Sequence, residues 1–297
     1  MHGYLEPPIL PPPSRPWIVG IVNITQDSFS DGGRFLAAGD ALAHALRLRS
    51  EGADVIELGP AASHPQAARV SADEERQRLA PVMGQLIAAG IPVSVDSFLL
   101  PTQQFAIANE ASFLNDIQGF PDPGCYAELE RARCRLIVMH SVQRRGPATK
   151  VATSPEQVWV GIEEFFAGRI TAMVKAGIAR DRLIIDPGLG YFLGSNPESS
   201  LVALAGIRHL KARFGLPVLI SASRKSFLRT LTGRDIEQAG AATLAAELFA
   251  TWQGADYIRT HDVAALRDAL MVLGALAERA GPSAPHRGQP GGGSQDA

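Results

Sequence analysis

The sequence predicts an α/β fold, a single-domain (β/α)8 TIM barrel, and three observations lead to that prediction. The chain has 297 residues, 46% of them hydrophobic, and one barrel with a buried core needs about 250 residues. Eight short apolar runs alternate along the chain with longer segments of helical periodicity. Polar side chains able to bind ligands or react follow the carboxyl ends of most of these runs.

The predicted strands are rich in β-branched and aliphatic residues, and they occupy residues 17–23, 54–59, 91–96, 112–116, 135–140, 182–186, 217–223 and 256–261. Amphipathic helices are expected between them, at residues 39–51, 72–89, 102–109, 155–176, 197–214, 239–253 and 264–279, with the weakest candidate at 126–132. No change of composition between residues 17 and 280 indicates a second domain.

The ends of the predicted strands decide between two architectures. Periodicity alone permits a closed barrel or an open doubly wound sheet, because helical crossovers cover both faces of either sheet. In a barrel the carboxyl ends of the strands converge on one mouth, whereas an open sheet spreads them along an edge. We favour the barrel because so many of these ends are polar, namely Asn23, Asp96, Asn115, Asp116, His140, Asp186, Arg259 and His261.

Both ends of the chain are predicted to be disordered. Residues 1–16 are proline-rich, and residues 281–297 consist mostly of Gly, Pro, Ser and other polar residues. Such segments bury too little apolar surface to offset the loss of chain entropy. The N-terminal segment has neither a basic start nor an uninterrupted apolar run, as a secretory signal or membrane anchor would have. A cytoplasmic protein with no membrane partner is therefore expected.

Charge and cysteine content exclude several classes of function. A formal net charge of -2 lacks the basic excess that nucleic-acid binding needs, so nucleic acid is not an expected partner. Cys125 and Cys134 are too few for a disulfide framework and lack the spacing of a zinc site. We interpret both as free thiols in a reducing compartment.

The acidic strand ends indicate a pocket for a flat heterocycle. Asp96, Asp116 and Asp186, with Asn115 beside them, would form a group of hydrogen-bond acceptors suited to a ring rich in N–H donors, such as an aminopyrimidine. Each aspartate could instead cap a helix or form a turn, as in the Asp-Pro-Gly sequence at Asp186. The grouping, more than any single residue, favours the binding pocket.

A second set of residues indicates an anion pocket. Lys225 lies just past the seventh strand, close to where many barrels bind phosphate, and Arg224, Arg259 and His261 lie on the same or the adjoining loop. Lys225 could donate to a ring oxygen, bind phosphate or form a Schiff base, or it could be a solvated surface lysine. The polar loop NITQDSFSDGGRF after the first strand suits a mobile cover over the mouth, or an ordinary exposed loop.

Seven motifs, in this order, resemble those of the dihydropteroate synthases: GIVNITQDSFSDGG, VSVDSF, LNDI, VMH, IIDPGLG, SRKSF and IRTH. They span nearly the whole predicted barrel, and the first has Gln26 where the family usually has Pro. The resemblance implies condensation of 4-aminobenzoate with 6-hydroxymethyl-7,8-dihydropterin diphosphate, release of diphosphate and a requirement for Mg²⁺. Family members are commonly homodimers, so a homodimer is expected.

The resemblance also implies roles for individual residues. Asp96, Asp186 and Lys225 are the implied catalytic residues. The implied pterin site comprises Asp96, Asn115, Met139, Asp186 and Lys225. The implied diphosphate site comprises Asn23, Ser63, His64, Arg259 and His261, with Asn23 also holding the metal. The implied aminobenzoate site comprises Phe29, Ser63, Pro65, Tyr191, Phe192 and Ser226.

Two loops depart from the usual family pattern. The sequence GPAASHP places Ser63 and His64 where most members have Thr and Arg, and His is a weaker, pH-dependent anion ligand. The loop DPGLGYFLGSNPE is about two residues longer than in many members and carries the bulky Tyr191 and Phe192. Both departures resemble the sulfonamide-insensitive Sul subgroup, which implies resistance to these drugs; the alternative is neutral drift of exposed loops.

Two other functions remain open from the sequence. A barrel that binds a pterin for methyl transfer to a corrinoid protein would share the pterin pocket without needing an anion site. A non-catalytic pterin-binding protein would need neither chemistry nor a leaving group. The SRKSF and IRTH motifs favour the synthase over the methyltransferase.

Overall fold

Eight parallel strands form a barrel in a computed structural model that describes residues 15–25, 38–143 and 145–280. Neighbouring strands follow the order β6-β5-β4-β3-β2-β1-β8-β7. A parallel bridge between Ile185 and Val218 joins the two outermost strands of that order. The TIM-barrel prediction is confirmed.

The strands are β1 Trp17–Asn23, β2 Val55–Gly59, β3 Val93–Asp96, β4 Phe113–Asp116, β5 Arg135–Met139, β6 Leu183–Asp186, β7 Leu219–Ile220 and β8 Tyr257–Thr260. The α-helices of the described residues are α1 Ala38–Glu51, α2 Ala72–Ala88, α3 Leu100–Ala108, α4 Tyr126–Arg131, α5 Pro155–Lys175, α6 Pro197–Ala205, α7 Ile207–Phe214, α8 Ser226–Thr232, α9 Gly240–Trp252 and α10 Val263–Ala280. Short 3₁₀ turns lie at Pro123–Cys125, Arg180–Arg182, Gly190–Leu193 and Ile236–Gln238.

Local sequence explains where several helices begin. Ser71 caps α2, and its hydroxyl accepts from Glu74 N while the Glu74 carboxylate accepts from Ser71 N, a reciprocal pair that satisfies two backbone donors. Ser154 caps α5, where Pro155 occupies the first helical position and needs no hydrogen-bond acceptor for its nitrogen. These helices therefore start where the sequence predicts.

Two elements differ from the prediction. The seventh strand is only two residues long. It begins after Pro217, which has no N–H for the ladder and contributes only its carbonyl, and that carbonyl accepts from Ile185 N at 2.9 Å. The predicted helix at 197–214 is divided at Gly206, where the Trp159 ring packs so closely that an added Cβ would lie 2.1 Å from it. Helix α8 was not predicted.

The inside of the barrel is layered along the strand direction. Its lower layer is apolar and takes one residue from each of seven strands, namely Val19, Val55, Phe113, Ile137, Ile184, Leu219 and Tyr257. Because side chains alternate between faces, the residues two positions further along share the interior. These include Glu57, Asn115, Met139, Asp186 and Arg259. The sheet thus carries its charged layer directly above an apolar floor.

The terminal segments predicted to be disordered lie outside the described residues, except Arg15 and Pro16. The Arg15 guanidinium donates to both Asp54 carboxylate oxygens at 2.7 and 2.9 Å, beside the start of β1. Within the described part of the chain, no helix is both long and apolar enough to cross a bilayer.

Gly188 combines a positive φ with a backbone atom that leaves no room for a side chain. Its φ is +74°, and an added Cβ would lie 2.4 Å from the His140 carbonyl oxygen. Gly90 provides a matched control, with φ +70° and no atom within 4 Å of an added Cβ. We expect Gly90→Ala to lower the free energy of unfolding by about 1 kcal/mol through backbone strain alone, and Gly188→Ala to lower it several times more. Urea denaturation measures both, and equal losses would contradict the backbone clash.

Candidate active site

A cavity of about 480 Å³ opens at the carboxyl ends of the strands. It brings together most of the residues that the sequence analysis assigned to a site, namely Asn23, Ser63, His64, Pro65, Asp96, Tyr191, Phe192, Lys225, Ser226, Arg259 and His261. A larger groove of about 730 Å³ runs along α5 outside the barrel, but it contains none of these residues. The chemistry therefore belongs to the smaller cavity at the mouth.

Four of the predicted site residues are not among those lining this cavity. Asn115 and Asp186 are almost fully buried in the charged layer beneath it. Met139 packs with Phe192 in a small apolar cluster at the same level. Phe29 lies outside the described residues, as does most of the loop that the sequence predicts as a cover.

Arg259 is the centre of the charged layer. Its Nε lies 2.8 Å from Glu57 Oε2, and one of its terminal nitrogens lies 3.4 Å from Asp96 Oδ2. The other Glu57 oxygen accepts from Ser94 Oγ at 3.2 Å and from Asn115 Nδ2 at 3.3 Å. Strands β2, β3, β4 and β8 are thereby linked across the barrel interior by one buried ion cluster.

Burial shifts the pKa of every carboxyl in this layer upward. The pKa of Glu57 rises to about 7 despite the opposing charge of Arg259, and the pKa of Asp186 rises to about 6 although Gly188 N donates to its carboxylate. Burial also raises the pKa of Asp96. The pKa of Lys225 falls to about 8, through burial first and then through repulsion by Arg259. The site holds proton donors and acceptors with pKa values near neutrality.

Lys225 lies immediately before α8, so the chain direction changes at the residue that carries the amine. Its Nζ lies 4.9 Å from the centre of the Phe192 ring, a cation–π contact. Gly190, with φ +66°, packs closely beside this side chain, since an added Cβ there would lie 3.1 Å from Ser226 Oγ and 3.4 Å from Lys225 Cδ. The amine is therefore held between an aromatic face and the carboxylates.

His261 lines the cavity and is held by Ser223. Ser223 Oγ accepts from His261 N at 3.2 Å and lies 2.8 Å from the ring Nδ1. Burial, followed by the charges of Arg224 and Arg259, lowers the pKa of His261 well below its usual value. The ring is therefore neutral, and a neutral imidazole keeps one N–H that can donate to an anion.

The two loops that differ from the usual family pattern both line the edge of the cavity. Phe192 is 5% exposed and packs with Ile117, Met139 and Ala148. Tyr191 is half-buried, and Lys150 Nζ lies 5.5 Å from the centre of its ring. In the other loop, Gln66 N donates to His64 Nδ1 at 3.2 Å. Bulky side chains therefore narrow one side of the mouth.

Asp116 and His140 lie at the ends of their strands, as predicted, but the expectation that they face the mouth is wrong. Each follows a residue whose side chain is inside the barrel, so alternation turns its own side chain outward. Asp116 accepts from Gln103 Nε2 at 3.0 Å and from Gln118 N at 2.7 Å. His140 Nδ1 lies 3.1 Å from the Pro187 carbonyl oxygen. Both hold loops together behind the site.

Glu57 is the site residue that the sequence analysis missed. It lies inside an apolar strand, so it is not a polar strand end, although it is only 1% exposed and makes the shortest contact to Arg259. A signal was present, because an acidic residue interrupts the run VIELG at the same spacing from its strand's apolar-layer residue as Arg259 has in β8. Strand parity, applied across the barrel, would have found it.

The family model described as "pterin binding enzyme" matches residues 19–261. The chain is 55% identical over 263 residues to dihydropteroate synthase type-2 of Escherichia coli, covering 89% of this chain and 97% of that protein. It is 52% identical over 259 residues to dihydropteroate synthase type-3 of Escherichia coli, covering 87% and 98%.

Solved structures give the same relationship. Dihydropteroate synthase of Xanthomonas albilineans with 4-aminobenzoic acid superposes with a TM-score of 0.79 at 38% identity, covering 91% of this chain and 95% of that one. The same protein in complex with 7,8-dihydropteroate superposes with a TM-score of 0.77 at 37% identity, with the same coverage. Sequence and fold agree over nearly the whole barrel.

Removing Arg259 should destabilise the protein in a pH-dependent way. Arg259→Met leaves the carboxylates of Glu57 and Asp96 buried without their cation, and we expect a loss of about 3 kcal/mol in the free energy of unfolding at pH 8. The loss should be smaller at pH 5, where protonation removes the uncompensated negative charge.

Arg76→Met is the control, because the Arg76–Asp73 pair is exposed and should contribute less than about 0.5 kcal/mol. Urea denaturation at the two pH values measures both variants. A loss for Arg259→Met that is equal at pH 5 and pH 8 would contradict the electrostatic explanation.

Proposed function

The chain belongs to the dihydropteroate synthase family of pterin-binding enzymes, and on that premise we propose that it joins 4-aminobenzoate to 6-hydroxymethyl-7,8-dihydropterin diphosphate, giving 7,8-dihydropteroate and diphosphate. One observation carries the proposal: a buried set of hydrogen-bond acceptors and a set of cationic or N–H donors adjoin the same cavity. The first suits the pterin ring and the second suits the diphosphate.

The pterin binds to the charged layer. Asp96 and Asp186 accept hydrogen bonds from its amino and ring N–H groups, Asn115 supplies an amide, and Lys225 donates to a ring oxygen or nitrogen. Burial of these groups supports the assignment, because hydrogen bonds to charged acceptors are stronger where water is excluded. Met139 forms an apolar wall beside Phe192.

The diphosphate leaves from the exocyclic carbon of the pterin. The bond from that carbon to the bridging oxygen breaks, and the pterin ring disperses the positive charge left behind. Arg259 opposes the negative charge that develops on the leaving group, and the ring N–H of His261 donates to it. Asn23, Ser63 and His64 complete this subsite, and His64 is a weaker anion ligand than the arginine usual in the family.

Mg²⁺ is the expected cofactor, and Asn23 would hold it. Among the described residues, no group of three or more His, Cys, Asp or Glu side chains is placed to bind a metal. An amide oxygen at the cavity edge nevertheless fits Mg²⁺, which keeps several waters and binds largely through substrate phosphates. When bound, the ion would neutralise charge on the diphosphate oxygens.

The aminobenzoate binds above the pterin carbon. Ser63, Pro65, Tyr191, Phe192 and Ser226 lie along the cavity on that side, and Phe29 would join them from the loop after β1. The aniline nitrogen attacks the carbon as diphosphate departs and then loses a proton. Side chains that exclude water from this volume suppress competing hydrolysis.

We attribute resistance to sulfonamides to crowding on the side of the cavity that Tyr191 and Phe192 line. A sulfonamide is larger than 4-aminobenzoate, and Tyr191 and Phe192 restrict the space beyond the shared aniline part. The drug would then meet a clash that the substrate does not meet. The packed position of Phe192, which is 5% exposed, supports a fixed obstacle at this edge.

We propose further that the enzyme is a cytoplasmic homodimer. Helices α9 and α10 pack against each other, and their exposed faces carry large apolar side chains that a second copy would cover, namely Phe249, Trp252, Met271, Val272 and Leu276. Cys125 and Cys134 are unoxidised and buried, which suits a reducing compartment.

Diphosphate release that depends on added 4-aminobenzoate tests the proposed reaction. We expect Lys225→Met to lower kcat/KM at least about 100-fold, because a donor to the pterin ring is lost from a water-poor site. Lys175→Met on the exposed side of α5 should change it less than about twofold. Pterin binding without diphosphate release would favour a non-catalytic protein, and methyl transfer to a corrinoid acceptor would favour the methyltransferase.

Shortening the loop at residues 191–194 by two residues tests the resistance proposal. We expect the inhibition constant of a sulfonamide to fall at least about tenfold, which corresponds to about 1.4 kcal/mol of relieved clash. Tyr191→Ala, at a half-buried position, provides a second variant less able to disturb folding. The KM for 4-aminobenzoate in each variant is the internal control. Unchanged resistance with intact turnover would exclude this explanation.

A further inference from the structure

A buried hydrogen-bond network lies behind Asp96 and Asn115, and the side chains that form it, those of Gln103, Ser97, Asp116 and Glu75, take no part in the proposed chemistry. At its centre is Gln103 of α3, which is 3% exposed. Its Nε2 donates to the Ser97 carbonyl oxygen at 2.8 Å and to Asp116 Oδ2 at 3.0 Å. One amide nitrogen thus connects the residue after Asp96 with the residue after Asn115.

The side chain in this position must carry two hydrogens on one atom. A glutamine amide supplies both from a single nitrogen, so it satisfies the carbonyl and the carboxylate together. Without it, two acceptors would be left buried, at a cost in free energy for each. The two hydrogen bonds therefore fix the Gln103 side chain, and they also fix the Ser97 carbonyl and the Asp116 carboxylate.

The remaining bonds of the network fix the same two loops. Ser97 Oγ donates to Glu75 Oε2 at 2.6 Å and accepts from Leu99 N at 3.1 Å. Ser97 N donates to the Asn115 carbonyl oxygen at 3.0 Å. The outward side chains of β3 and β4 are thus tied to α2 and α3, while the inward ones reach the pocket.

We propose that Gln103 is a positioning residue for the pterin, acting through Ser97 and Asp116 to keep Asp96 and Asn115 at the spacing that the ring requires. The inference rests on the proposed function, since it assigns the task of the network to that pocket. Hydrogen-bond recognition tolerates displacements of only about 0.5 Å, and the bonds through Gln103 restrain the chain immediately after both strands, beyond the last paired residues Asp96 and Asn115. Gln103 touches no substrate itself.

The test compares two variants of Gln103 with one distant control. Gln103→Met keeps the shape of the side chain and removes both donors, whereas Gln103→Glu places a carboxylate against Asp116 and the Ser97 carbonyl. Thr251→Val on α9 removes another buried donor, whose hydroxyl lies 2.9 Å from the Glu247 carbonyl oxygen. Binding of 6-hydroxymethylpterin is titrated in each protein, and kcat and both KM values are measured.

We expect Gln103→Met to raise the pterin Kd and the KM of the pterin substrate about tenfold, the size expected from loss of one buried interaction. Because the pterin contacts serve the ground state and the transition state alike, kcat should stay within about twofold. The KM for 4-aminobenzoate should also be unchanged. Gln103→Glu should weaken pterin binding further, and Thr251→Val should leave it unchanged.

An unchanged pterin Kd in Gln103→Met, or an equal rise in Thr251→Val, would overturn the positioning role. If Gln103→Met fails to fold, Asp116→Asn tests the same link, because an asparagine offers only one acceptor to the two donors at Gln103 and Gln118. A pterin Kd unchanged in Asp116→Asn then overturns the proposal. A wild-type protein that binds no pterin overturns the proposed function itself, and that outcome is seen before any variant is made.

Discussion

The buried ion cluster around Arg259 is the constraint on which the rest of the site depends. A guanidinium inside a barrel is tolerated only with carboxylate partners close by, and Glu57 and Asp96 supply them from two other strands. Their mutual charges keep the interior near neutrality, and burial then moves the pKa of each carboxyl upward. The cation that can oppose a leaving anion is therefore the same one that links β8 to β2 and β3 across the barrel interior.

Much of this arrangement could be predicted because a parallel barrel has few degrees of freedom. Once eight strands are recognised, their carboxyl ends must converge, so Asp96, Asp186 and Arg259 could be grouped without coordinates. The division into a pterin subsite and a diphosphate subsite needed more, since composition and periodicity led only to a heterocycle pocket beside an anion pocket. The reaction itself could be inferred only from the seven motifs that occur in the family's order.

Most of the wrong or missed predictions share one physical cause, the alternation of side chains between the two faces of a strand. Asp116 and His140 are strand-end residues by position, but each follows an inward-facing neighbour and must face outward. Glu57 was not predicted for the opposite reason: it lies within a strand, yet its side chain faces inward. The close packing of the Trp159 ring on Gly206, where the predicted helix is divided, is also a contact between residues distant in sequence. Contacts of that kind carry no local signal.

The loop that carries Tyr191 and Phe192 is joined to its neighbour at several points. The Phe192 carbonyl accepts from Val142 N at 2.9 Å, Thr153 Oγ1 donates to the Leu193 carbonyl at 2.7 Å, and Ser195 N donates to the Val151 carbonyl at 2.7 Å. Because of these hydrogen bonds, the loop depends on the neighbouring residues 142, 151 and 153 for its conformation. Transplanted alone into another barrel, it would lack the partners that shape it, so the two loops form one structural unit.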